Sequence, residues 1–132
     1  METGRASKTA LGVAIRRAAH QLADKPPVLD DPIALRLVGE GYPRLMERAL
    51  HPVGRDFRGF MAARSRYAED QLAKAVARGV TQYVLLGAGL DTFPYRNPFV
   101  GVRVFDLRIP DRKADGPGRE PRHQCKARSL AD

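Results

Sequence analysis

An apolar run that feeds straight into a Gly-x-Gly turn constrains this chain more than any other feature. Val84-Leu85-Leu86 leads into Gly87-Ala88-Gly89, and Asp91 follows two residues later. A second short apolar run, Val102-Arg103-Val104-Phe105, ends in Asp106, seventeen positions after Gly89. Strand, glycine turn, helix, strand, acid is the order that lays a nucleoside-bearing ligand along the edge of a parallel sheet. Gly87 lets the chain leave the strand sharply, and Gly89 permits close approach of a ligand to the backbone. A carboxylate at the tip of the second strand can accept both hydroxyls of a ribose. The third glycine of a G-x-G-x-x-G fingerprint is missing, which argues against a dinucleotide and fits S-adenosylmethionine better than NAD.

Upstream of this turn the pattern is helical. Ala10, Leu11, Ala14, Ile15, Ala18, Ala19 and Leu22 recur at helical spacing, with Lys8, Arg16, Arg17 and Gln21 assigned to the opposite face. Ser7 is the expected N-cap, and Pro26-Pro27 the terminator. Asp31-Pro32 opens a short helix that Gly39 and Gly41 close, and a further turn or two is expected over 43–50. The longest helix is expected from Arg55 to Arg78, with Phe57, Phe60, Met61, Arg64, Tyr67, Ala68, Leu72, Ala75 and Val76 as its inward stripe and Gly79 as its stop. Val80 to Leu86 and Val102 to Asp106 are the strands, and Asn97-Pro98 breaks the piece between them. No internal repeat is visible.

After Leu107 the chain changes character. Residues 108–132 hold three prolines and two glycines, and Ile109 and Leu130 are their only large aliphatics. Such a segment buries too little to offset its ordering entropy and is expected to be disordered. The expected organisation is therefore a helical cap over 1–54, a sheet-forming region over 55–107, and a tail over 108–132.

A chain of 132 residues supports one domain. Its net charge of +8 raises nucleic acid as a partner, but the arginines are scattered, many beside acids, and no basic stripe interleaves with aromatics. Cys125 is the single cysteine, so no disulfide forms within the chain, and no Cys/His spacing suggests a metal. His20, His51 and His123 lie far apart and read as surface or capping residues. No run is long enough to span a membrane, and no apolar signal core stands at the N-terminus. A reducing cytoplasm is the expected location.

Four stretches resemble the leucine carboxyl methyltransferase-like family of class I S-adenosylmethionine-dependent methyltransferases over roughly residues 7–107. Ser7-Lys8-Thr9-Ala10 is similar to its S-x-T-A start, and Asp30-Asp31-Pro32-Ile33-Ala34 to its D-P-x-A helix start. Ala63-Arg64-Ser65-Arg66-Tyr67 with Asp70 resembles A-R-T-R-x-x-D-D, and Val84 to Asp91 with Tyr95-Arg96 resembles V-x-L-G-A-G-L-D-T-R-x-Y-R. The resemblance implies an α/β fold: an N-terminal helical cap plus the first β-α-β of a Rossmann-like sheet, incomplete because the family needs about seven strands. It implies S-adenosylmethionine as cofactor and methyl transfer to a carboxylate or hydroxyl, on an acceptor the sequence does not identify. Arg64 would pair with the methionine carboxylate, by the bidentate geometry a guanidinium offers, or remain a solvated helix arginine. Gly87, Ala88 and Gly89 would form the cofactor's floor. Asp91 would sit at the turn's exit, or cap the next helical piece. Asp106 would meet the ribose. Lys8 and Thr9 would line the mouth, and Tyr95 and Arg96 would pack and pair structurally. No catalytic residue is assigned, and none is needed as a nucleophile.

Two positions depart from the family pattern. Arg108 stands where a second acid follows the second strand, and Phe93 replaces the arginine of D-T-R. The loss of apolar residues after Leu107 suggests a truncation or a foreign reading frame. The alternatives to an enzyme are a non-enzymatic remnant that folds with a partner and, less favoured, a basic nucleic-acid-binding protein.

Overall fold

The computed structural model describes residues 7–108 and 126–129. Four helices come first: α1 (Lys8–Ala23), α2 (Pro32–Val38), α3 (Pro43–Leu50) and α4 (Arg55–Val76). The strands are β1 (Gln82–Leu86), β2 (Arg103–Arg108) and β3 (Lys126–Ser129), in the order β1-β2-β3. The pair β1/β2 is parallel and aligns Leu85 with Asp106, while β2/β3 is antiparallel. The fold is thus a small, incomplete α/β unit. Its third strand lies inside the segment expected to be a tail and has no apolar run to announce it. Cys125, His123, Ile109 and Leu130 lie outside the described residues, and no helix among those described is long and apolar enough to cross a membrane.

Local chemistry sets the helix ends. The Ser7 side chain accepts from the Ala10 N–H at 3.1 Å, and Asp31 Oδ1 accepts from the Ala34 N–H at 3.1 Å. At the end of α4 the Val80 N–H reaches the Ala75 carbonyl and the Gly79 N–H the Val76 carbonyl. This is a Schellman closure, and Gly79 supplies its left-handed residue at φ 94°. The crossover from β1 to β2 holds no α-helix. A single 3-10 turn, Phe93–Tyr95, stands there, because Pro94 and Pro98 leave too short a stretch of donors for a longer helix.

α1 is the hub. Ala14, Ile15, Ala18 and Ala19 pack with Ala34, Val38 and Ala49, and Leu90 of the glycine turn packs against the same cluster. A second cluster joins Leu72 of α4 to Phe93 and Val104, with Tyr83, Leu85 and Phe99 against it. Phe93, where an arginine was expected, therefore fills an apolar site and meets the Tyr83 ring edge-on at 5.3 Å.

Because α1 is surrounded, Arg17, assigned to its outer face, is buried, whereas Lys8 is exposed and Arg16 and Gln21 are half-buried. Arg17 is 2% exposed and His20 1%, which corrects the surface reading of both. Leu22 is exposed instead. On α4 the inward stripe runs through Arg58, Met61, Ala62 and Leu72, about one residue around the helix from the expected one. Phe57, Phe60 and Tyr67 face outward. The cause is Arg58, which is drawn inside by two 2.8 Å bonds to Asp24 and one to the Ala49 carbonyl.

Candidate functional site

The turn that leaves β1 opens onto a hollow of about 250 Å³. Ser7, Thr9, Ala10, Val13 and Arg17 of the α1 side, Arg64 and Ser65 of α4, and the turn residues Gly87 to Asp91 line it. The structure therefore gathers Arg64, Gly87, Ala88, Gly89 and Asp91 around one space. Thr9 joins them, whereas Lys8 and Asp106 are not among the lining residues. Asp106 is buried on β2 beside Leu85 of β1, and the Gly87 N–H continues that ladder by bonding the Leu107 carbonyl at 2.9 Å. The acid thus stands at the same sheet edge as the turn but outside the hollow. His51 serves as a cap, with Nδ1 accepting from the Val53 N–H.

The two turn glycines have different reasons. Both hold positive φ, 63° at Gly87 and 58° at Gly89. A side chain at Gly87 would meet nothing within 4 Å, so that side of the turn is open. A Cβ at Gly89 would lie 2.8 Å from the Ala10 Cβ. The neighbour that comes close to Gly89 is helix α1.

Arg64 is exposed, and among the described residues its side chain has no hydrogen bond or ion pair. Its guanidinium stands on the wall of the hollow. Arg17 is the opposite case. Its Nη2 donates to the Leu90 carbonyl at 2.6 Å, its Nη1 lies 3.4 Å from Asp91 Oδ1, and its Nε lies 3.5 Å from Asp31 Oδ2. Asp31 is fully buried and also accepts from Thr92 Oγ1 at 2.7 Å. Arg96 donates from Nε to Thr92 Oγ1, lies 3.4 Å from Asp31 Oδ1, and grips Glu69 of α4 through both terminal nitrogens. Burial opposes the charge of Arg96, yet Glu69, with Asp31 and Asp91, outweighs it and raises its pKa above the ordinary value. Asp91 closes the turn by accepting from the Phe93 N–H at 2.9 Å.

Sequence reasoning singled out Asp31, Asp91 and Arg96 but missed Arg17 and Glu69. Arg17 and Leu90 are 73 positions apart, and no local pattern reports such a pair. No group of acids, histidines or cysteines among the described residues could hold a metal ion.

The sequence matches the leucine carboxyl methyltransferase family over residues 10–113. A Mycobacteroides abscessus protein provisionally named an S-adenosyl-L-methionine-dependent methyltransferase is 38% identical over 93% of this chain and 43% of its own length. A Mycolicibacterium smegmatis protein of the same provisional name is 38% identical over 78% of this chain and 38% of its own length. A Mycobacterium tuberculosis counterpart is 36% identical over 77% of this chain and 37% of its own. The chain thus spans about two-fifths of the length of these relatives.

Proposed function

The chain belongs to the leucine carboxyl methyltransferase family, and from that premise we propose that it carries the S-adenosylmethionine-binding start of a methyltransferase acting on a carboxylate or hydroxyl oxygen. The observation that carries the reading is Arg64, a cation whose side chain has no partner among the described residues, on the wall of a hollow floored by a glycine turn. The residues present fit the cofactor. Arg64 would hold its carboxylate as a forked ion pair, and the open, side-chain-free surface of Gly87 would lie against it, with Ala88 and Gly89 completing the floor. Asp91 at the turn's exit keeps the loop's shape. Asp106, at the carboxyl end of the neighbouring strand, is proposed as the ribose acceptor from its place at the sheet edge.

Bound S-adenosylmethionine supplies an electrophilic methyl group on a sulfonium. The protein's part is to bind, to orient and to exclude water, and no side chain need act as nucleophile. The acceptor remains a carboxylate- or hydroxyl-bearing molecule of unspecified size. A second reading, a chain that completes its site with a partner, is supported by Val84 and Leu86, which stand exposed on one face of β1.

Calorimetric titration with S-adenosylmethionine and S-adenosylhomocysteine tests the proposal. Saturable binding is expected, with a loss of about tenfold or more in Arg64→Gln, since a charge-assisted bond contributes roughly 1.5–3 kcal/mol. The melting temperature of that exposed variant should not move. Equal affinity in both proteins, or salt-sensitive binding to a DNA duplex in place of cofactor binding, would remove the basis for the reading.

A further inference from the structure

We propose that Arg17 is a positioning residue of the cofactor hollow, acting through the loop Gly87–Thr92 and resting on the binding role just described. Arg17 is 2% exposed at the edge of the hollow, and three of its guanidinium nitrogens face Leu90, Asp91 and Asp31. A loop that leaves a strand through two glycines has little rigidity of its own, because each glycine adds backbone freedom. Here the loop is held from outside. Arg17 takes a backbone carbonyl and a carboxylate of the loop, and Asp31 takes the next residue through Thr92 Oγ1 at 2.7 Å.

The two holders are themselves fixed. Arg17 projects from α1, the most enclosed helix, and Asp31 caps α2 through the Ala34 N–H. Three consecutive loop residues, Leu90 to Thr92, are thus gripped by side chains of the helical cap rather than by the sheet. A planar fork with several donors can span these acceptors at once, whereas a single ammonium cannot. The cap therefore sets the height of the Gly87–Gly89 floor relative to Arg64. Cofactor affinity should depend on Arg17 although its partners all belong to the protein.

The experiment compares the full chain with Arg17→Gln and Arg17→Lys, by calorimetric titration with S-adenosylhomocysteine and by amide hydrogen exchange. Both variants are expected to keep the exchange protection of α1 and α4 while losing it over 87–92. Affinity should fall about tenfold or more in Arg17→Gln, and lysine should restore it only in part. Unchanged protection at 87–92 in a folded variant, or affinity within about twofold of the parent, overturns the proposal. Unfolding of both variants also overturns it, since Arg17 would then serve the whole fold. If the unaltered chain binds no S-adenosylhomocysteine, the cofactor reading fails, and exchange at 87–92 still decides the role of Arg17.

Discussion

Single polar residues do as much to shape this molecule as its apolar ones, and the half-buried Asp24, held by the buried Arg58 and His20, shows how. Its carboxylate receives two 2.8 Å bonds from Arg58 and one of 2.7 Å from His20 Nδ1. His20 Nε2 accepts from the Val28 and Leu29 N–H groups, so the ring carries its proton on Nδ1. The Arg58 hydrogen bonds hold the Asp24 carboxyl well below the usual carboxylate range, against the opposing effect of burial, and His20 adds to the lowering. A folded-state pKa below the unfolded value means stability that is present above about pH 4 and lost as the pH falls further. Asp24→Asn should therefore cost about 1.5–3 kcal/mol at neutral pH. In urea titrations the gap between parent and variant should narrow as the pH drops below about 4. A gap of constant size between pH 7 and pH 3 would contradict this account. Little of it was legible beforehand. Periodicity assigns Arg17 outward because it scores polarity, and a charge satisfied by distant partners leaves no trace in that score.

At the level of elements the sequence was a better guide where the determinants are local. Ser7, Asp31 and Gly79 each mark a helix end because a cap needs only a few neighbouring atoms. The turn Gly87–Gly89 was equally legible, but the reason for its second glycine was not, since Ala10 belongs to a helix far upstream. Gly89→Ala would force a Cβ to 2.8 Å from the Ala10 Cβ while holding a left-handed φ of 58°. Its expected cost is about 2–4 kcal/mol, the sum of overpacking and backbone strain. Gly87→Ala meets open space and carries the strain alone, about 1–2 kcal/mol. Thermal or urea unfolding of the two variants should rank them in that order. In a double-mutant cycle, Ala10→Gly should recover part of the Gly89→Ala loss and none of the Gly87→Ala loss. Equal costs for the two alanines would mean that α1 does not press on the turn. The rotated stripe of α4 and the strand β3 were hidden for the same kind of reason, because Arg58 answers to Asp24 and β3 to a ladder on β2.

Among the described residues the whole is a helical cap closed around α1 and joined to a sheet with one covered face. Parallel strands in α/β folds are ordinarily covered on both faces. Here Tyr83 and Leu85 meet the α4 side, while Val84 is 47% and Leu86 78% exposed. That the sheet would be incomplete was readable from two apolar runs with nothing comparable after them. Which face would lack a cover was not readable, because alternate residues of β1 are almost equally apolar. The uncovered face makes a definite prediction for the chain as a whole. Leu86→Lys puts a charge at an exposed position, so its unfolding free energy should stay within about 0.5 kcal/mol of the parent. The same change should weaken binding of an apolar dye and any concentration-dependent association, because it interrupts the Val84–Leu86 patch. Leu85→Lys is the matched control: it enters the partly buried side packed against Leu72, Phe93 and Val104 and should destabilise by about 1–3 kcal/mol through lost packing and partial desolvation of the charge. If Leu86→Lys were as damaging as Leu85→Lys, the second face of β1 would be covered in solution, and the chain would have to associate or fold back to cover it.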